Sequence, residues 1–305
     1  MTQRGLVLFA LMSVIWGIPY LFIRIAVAEV SPVTLVFART AMAAAILLPL
    51  ALARADLRAV LARWPWLLAF AALEIAIPWV MLGSAEQHIS SSLAALLIAG
   101  VPLVGVVASI LTRGPDRMTR SGFAGLVIGL VGVAAIVGSE LQASSTLALL
   151  QMGVVVIGYA TAPIILARRL DDVSSIGVMA LSLTATALLF APVAAIQWPT
   201  SVPSTDALVS IAVLGLVCTA AAFPIFAALI SEIGPVRATV ITYVNPAVAA
   251  ILGVAVLNEA FTPGMAIGFA LVLIGSLLAT RLPTRLRHEP ERRDALAPQP
   301  SVDPA

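Results

Sequence analysis

Hydrophobic residues run along this chain in long blocks, and polar residues interrupt them at nearly regular intervals. Crossing the hydrocarbon of a bilayer takes about 20 mostly apolar helical residues. Blocks of that size predict spans near 5–28, 32–53, 64–85, 91–111, 120–138, 147–167, 174–197, 207–230, 236–257 and 263–280. The connections between them are too short to fold by themselves. The pattern therefore predicts an all-α integral membrane protein of ten transmembrane helices. From Arg281 the blocks stop, and RLPTRLRHEPERRDALAPQPSVDPA has the charge and proline content of a disordered tail. Ala26-Val27-Ala28 looks like a signal-peptide cleavage site. The block before it is longer than a secretory core and holds Pro19 and Arg24, so it is expected to stay as a span.

Composition agrees with the pattern. Hydrophobic residues make up 61% of the 305 and charged residues 10%, where a soluble chain carries roughly a quarter. That is too little polar side chain to cover a water-facing surface, so the bilayer is the expected partner of most of it. No nucleic-acid partner is expected. Cys218, the single cysteine, lies in an apolar run and offers no intrachain disulfide.

The 17 basic residues are all arginine, and their positions carry more than the net charge of +2. Cytoplasmic connections accumulate arginine. All but Arg24 and Arg39 fall at the ends or in alternate connections: Arg4; Arg54, Arg58 and Arg63; Arg113, Arg117 and Arg120; Arg168 and Arg169; Arg237; and the tail. The intervening connections AEQHISS, SELQASSTL and QWPTSVPST have none. Both termini are thus expected in the cytoplasm, in a bacterial-type inner membrane.

An internal repeat is visible. SLAALLIAGVPLVGVVASIL aligns with RATVITYVNPAVAAILGVAVL, matching Pro102 to Pro246, and one gap then matches Gly125 and Gly132 to Gly268 and Gly275. Trp16-Gly17 falls opposite Ile157-Gly158. The halves are read as 1–143 and 144–280, with 281–305 as the tail. Five spans per half, an odd number, put the second repeat upside down relative to the first. Inverted repeats are characteristic of secondary transporters, whose site lies between the halves near the bilayer midplane.

The same residues resemble the drug/metabolite transporter superfamily, specifically its EamA-type ten-helix members. The resemblance rests on Trp16-Gly17, Phe37-Ala38-Arg39, Ser91-Ser92-Leu93-Ala94-Ala95-Leu96-Leu97, and Tyr243-Val244-Asn245-Pro246 followed by Leu257-Asn258-Glu259. It runs from about residue 5 to 280. The family's Gly-Glu pair after spans four and nine is replaced by Thr112-Arg113-Gly114-Pro115 in one half and by Asn258-Glu259 in the other. The resemblance implies gradient-driven or proton-linked movement of a small metabolite, often export of amino acids or related compounds. A passive channel and a membrane-embedded enzyme acting on lipid-linked substrates are the alternative classes. The latter would need polar groups clustered at one membrane face, and the spans show only scattered ones.

Charges inside a bilayer are costly and mark functional positions. Arg24, Arg39 and Glu74 are the three. By helical rise Glu74 lies roughly 16 Å, and Arg39 roughly 10 Å, below the same membrane surface. An Arg39–Glu74 ion pair is therefore expected, with Arg24 snorkelling outward. Glu74 reads either as a titrating or cation-binding group of the transport cycle or as half of a fixed pair; Arg39 reads as its paired anchor or as part of the pathway. Trp16, Tyr20, Trp79, Tyr159, Tyr243 and Asn245 are mid-span candidates for lining that pathway, with Gln151 a weaker one. Trp64, Trp66 and Trp198 fall at span ends, as an interfacial belt does. The matched Pro102 and Pro246 would free the carbonyls of Ile98 and Thr242 and mark hinge or cavity positions.

His88 and His288 are too far apart to build a metal cluster, and no phosphate loop of the form GxxxxGK[ST] occurs. No cofactor is expected. Gly125 and Gly129 fit the GxxxG spacing, and Gly132 extends their face. Such a face packs closely within one fold or between two copies, so monomer and homodimer both stand. A small molecule is the expected substrate, and the proton is the candidate coupling ion.

Overall fold

The computed structural model describes residues 2–111, 120–140, 145–234, 238 and 241–279. The expectations for Arg113, Arg117 and Arg237, for the 143/144 boundary and for the tail 281–305 lie outside them. Among the described residues every regular element is a helix. Eight helical stretches are long and apolar enough to cross a membrane: Gln3–Ala26, Pro32–Arg54, Trp64–Glu86, Ser91–Ala108, Ser121–Gly138, Thr146–Arg169, Ser175–Ile196 and Thr205–Ile233. Two shorter apolar helices, Ile241–Leu257 and Pro263–Leu278, complete the set. These are spans one to ten, at the places the hydrophobic blocks predict.

Local chemistry sets where the spans begin. The side-chain oxygens of Thr2, Ser31, Ser90 and Ser204 each accept a hydrogen bond from a backbone N–H of the first turn that follows. This satisfies donors that a helix start otherwise leaves without partners.

Proline sets where the spans are irregular. Its ring crowds the carbonyl four residues back and it donates no N–H. Span one is broken between Ile15 and Pro19, and span four between Ile98 and Val101, just before Pro102. Spans three and eight, the third of each half, instead widen into π-helical stretches, Ala72–Ala76 before Pro78 and Val213–Ala221 before Pro224. Extra residues per turn are one way a helix absorbs such a clash.

The halves interleave. Span two packs against span seven, five against ten, six against three and four, and one against eight and nine. Small residues fill these seams, as close helix packing in lipid requires. A Cβ on Gly132 would lie 2.7 Å from the Gly268 carbonyl oxygen, and one on Gly275 would lie 2.6 Å from that of Gly125. Gly132 corresponds to Gly275 in the repeat and Gly125 to Gly268. Exchanging the halves therefore turns one contact into the other, as a two-fold axis between spans five and ten does. The glycine face of span five is used inside the fold. Large aliphatic side chains such as Leu111, Leu188 and Ile196 stay exposed on the outside, where lipid is the solvent.

The ends are tied together separately. At the arginine-free end, the Ser204 N–H and hydroxyl donate to Glu29 at 2.6 and 2.5 Å, and Gln87 Nε2 donates to the Val27 carbonyl at 3.0 Å. Both oxygens of Glu259 there accept from the start of span four: Ser91 N at 2.7 Å, Ser92 N at 2.9 Å and Ser92 Oγ at 2.6 Å. At the arginine-rich end, Thr2 Oγ1 donates to Glu232 at 2.5 Å, and Arg63 meets Asp172 at 2.5 Å and the Arg169 carbonyl at 2.9 Å.

Candidate functional site

Span two carries Arg39 into the interior about two turns from its Ser31 cap, and the residue is 8% exposed. Its Nε donates to Thr219 Oγ1 at 2.8 Å, and its Cζ lies 3.6 Å from the centre of the Trp79 ring. Thr219 Oγ1 in turn donates to the Leu214 carbonyl five residues back, within the π-helical stretch of span eight. The guanidinium is thus anchored by a hydroxyl from one half and an aromatic face from the other.

The expected Arg39–Glu74 ion pair is not formed. Among the described residues no carboxylate lies within 4 Å of Arg39. Trp79 is the span-three side chain that meets the cation, and a ring face stabilises it without burying a second charge. Glu74 sits in the π-helical turn Ala72–Ala76, and its Oε2 is buried with no hydrogen-bond partner among the described residues.

Tyr159 brings the two charges into one neighbourhood, since it interacts electrostatically with both Glu74 and Arg39. Its position follows from Gly158. A Cβ there would lie 2.5 Å from the Leu73 carbonyl oxygen and 2.9 Å from Pro78 Cγ. Only glycine lets span six lie this close to the irregular turn of span three. Tyr20 of span one, buried, is an electrostatic neighbour of Tyr159 and Arg39. Spans one, two, three, six and eight therefore contribute Tyr20, Arg39, Glu74 with Trp79, Tyr159 and Thr219 to one interior region.

The other candidates are placed elsewhere or do other work. Trp16 sits at the break of span one against Phe226 and Phe223, with ring centroids 4.7 and 6.4 Å away. Asn245, with its amide nitrogen facing two carbonyls, donates to Ile241 O at 2.9 Å and Ser13 O at 3.1 Å, joining span nine to span one. Tyr243 is half-buried, and its side chain makes no hydrogen bond, ion pair or ring contact among the described residues. Gln151 donates to Ser84 Oγ at 2.9 Å, tying span six to span three. Arg24 does not simply snorkel: its guanidinium donates to the Glu86 backbone carbonyl.

The matched prolines also part company. Pro102 lies in the first turn of Val101–Leu111, after a turn in which Gly100 N donates to Leu97 O at 3.0 Å. Its missing N–H is one that a helix start leaves unpaired anyway, so the expected release of the Ile98 carbonyl from an intact helix does not describe this site. Pro246 sits inside the continuous helix Ile241–Leu257.

Two participants were not legible in advance. Thr219 is an unremarked threonine in an apolar run. Glu86 falls at the margin where the hydrophobic block ends, yet its side chain is fully buried, at 0% exposure. Among the described residues no group of three His, Cys, Asp or Glu side chains could hold a metal ion.

A family model described as the EamA-like transporter family matches residues 3–138 and again 146–281. A solved structure described as "Crystal structure of protein" is similar over 92% of this chain and 97% of its own, with a TM-score of 0.64 and 20% identity. At that identity the likeness is one of fold. No curated protein matches the chain.

Proposed function

Because the chain belongs to the EamA-like transporter family, within the drug/metabolite transporter superfamily, we propose that it exports a small zwitterionic metabolite, an amino acid or close relative, by alternating access. The observation that carries this is the pairing of opposite charges that do not satisfy each other. Arg39 is a buried cation with no carboxylate within 4 Å among the described residues, and Glu74 offers a buried oxygen with no hydrogen-bond partner. The Thr219 hydroxyl and the Trp79 ring hold the cation but give it no anionic partner, and a buried carboxyl oxygen without a donor is costly. A molecule carrying a carboxylate and an ammonium group supplies both partners at once, and Tyr20, Trp79 and Tyr159 offer rings for the rest of it.

Proton coupling follows from the same carboxyl. Glu74 can hold a proton or a substrate ammonium group, not both, and a single group contested by two ligands gives antiport. The same reading puts the chain in the plasma (inner) membrane with both termini cytoplasmic, an orientation supported by the alternation of arginine-bearing and arginine-free connections along the sequence.

The test is flux into and out of proteoliposomes loaded with a panel of amino acids, under imposed proton gradients. Removing one partner of a charge-assisted hydrogen bond costs about 1.5–3 kcal/mol, roughly 10- to 100-fold in affinity. Arg39→Ala and Glu74→Gln are therefore expected to raise KM by that factor for zwitterions, and Glu74→Gln also to flatten the pH dependence. Wild-type kinetics in both variants would overturn the assignment of this pair to substrate.

A further inference from the structure

The end whose connections carry no arginine holds a second buried carboxyl, chemically distinct from Glu74 in its surroundings. Glu86 closes span three, is 0% exposed, and neither side-chain oxygen has a hydrogen-bond partner among the described residues. The groups around it explain why. Arg24, from the second half of span one, directs its guanidinium at the Glu86 backbone carbonyl rather than at the carboxyl. Glu259, after span nine, is a second acid in electrostatic range. Its own oxygens are taken up by Ser91 N, Ser92 N and Ser92 Oγ. The phenols of Tyr20 and Tyr159 are further titratable neighbours among the described residues.

An ionised Glu86 would here be a buried anion with no donor, one cation facing past it and another carboxylate close by. A neutral carboxyl avoids most of that penalty. The surrounding contacts are also the ones that close this end of the molecule. Arg24 to Glu86 O and Gln87 to Val27 O join span one to span three, and the Glu259 clip joins span nine to span four.

We propose that Glu86 is a proton-binding site that locks the arginine-free end shut: it carries a proton while the end is closed, and loses it when the end opens and water reaches the carboxyl. Closure at this end is then tied to pH on that side of the membrane. Rising pH favours the open form, because only there can the carboxylate be hydrated. This goes beyond the export reading and rests on it only for the existence of an open form.

The test needs no substrate. Ser91 is fully buried beneath the Glu259 clip, and that clip uses its backbone N–H, so Ser91→Cys leaves the bond in place. Labelling of this cysteine by a membrane-impermeant maleimide reports opening, with the native, buried Cys218 giving the baseline. Rates are divided by those of a free thiol at each pH. The corrected rate is expected to rise at least ten-fold between pH 6 and pH 9. Glu86→Gln, a fixed neutral mimic, should hold it low and flat, and Glu232→Gln, at the opposite end of the molecule, should leave the rise intact.

Retention of the rise in Glu86→Gln would overturn the proposal, as would a flat wild-type profile. Exchanging sodium for N-methylglucamine should change nothing, and a sodium-dependent rate would assign the site to a metal cation instead. Should Glu86→Gln fail to fold, Glu86→Asp keeps the test alive by keeping a titratable carboxyl, so its rise must persist. A pH-gated end in a protein that moves no solute would sink the export reading and leave this one standing.

Discussion

Glu29 shows how a single exposed residue can carry a measurable electrostatic signature. Its carboxylate accepts both the side-chain and backbone hydrogen bonds of Ser204, which hold it below the usual carboxylate range. A carboxyl so depressed in the folded state contributes stability that is present above its unfolded value and lost as pH falls through the folded one. The melting temperature of Glu29→Gln should therefore lie below wild type at neutral pH, with the gap narrowing as pH drops under about 4. Melts of the detergent-purified protein across that window check the sign. Glu259 should matter more, since it satisfies two backbone N–H groups and a hydroxyl at the start of span four. Glu259→Ala should cost about 0.5–2 kcal/mol, the range for losing an N-terminal cap, read as a lowered melting temperature. The sequence shows this acid only as the Glu of the Asn258-Glu259 pair after span nine, and the helix it caps is not its own. No pattern of spacing reveals a cap that arrives from 167 residues away. Arg39 was legible as a buried charge for the same reason that its partner was not. A charge in an apolar block announces itself, whereas Trp79, legible only as a mid-span aromatic, and Thr219, not legible at all, become its partners when the fold sets them beside it.

At the scale of the helix, prolines divide into those that break or widen a span and those a span simply carries. Pro19, Pro78, Pro102 and Pro224 each follow an irregular stretch, while Pro49, Pro163, Pro192 and Pro246 lie within continuous helices. Composition alone does not separate the two groups, because the outcome depends on whether neighbours hold the local distortion. Gly158 does so for span three. A side chain there would strike the Leu73 carbonyl, within the π-helical turn that also holds Glu74. Healing the break of span four is expected to trade function for stability. Gly100→Ala with Pro102→Ala restores helix propensity worth about 1 kcal/mol at the glycine and more at the proline. The double variant should melt higher, yet turn over more slowly in the proteoliposome assay, because the break allows its two segments to move independently. Pro246→Ala should leave turnover nearly unchanged. Equal effects of the two would mean that the break of span four has no part in the cycle.

For the whole molecule, the count of spans, their order and the repeat were readable from hydrophobic blocks and matched glycines. How the halves associate was not. Five spans in each half suggest two bodies joined at a seam, whereas the contacts run five to ten, two to seven, six to three and four, and one to eight and nine. Each half standing alone would expose the small-residue faces that these pairings cover. The Gly132–Gly268 approach illustrates what would be lost, since a Cβ on either glycine would lie 2.7 Å from the other's carbonyl oxygen. Association in lipid depends on such fit rather than on hydrophobic exclusion, so a half-molecule has little to hold its own spans in place. Residues 1–143 and 144–305 expressed separately should therefore be degraded or polydisperse. Co-expressed, they should copurify as one complex through a tag on either half, with a melting transition close to that of the intact chain. A bulky side chain at the shared axis should prevent this. Gly132→Leu drives a branched side chain into the backbone of span ten, which flexible neighbours cannot absorb. It should abolish copurification of the halves while leaving membrane insertion of each unchanged. Separate halves that are each monodisperse and folded would mean that the contacts between repeats follow folding rather than produce it.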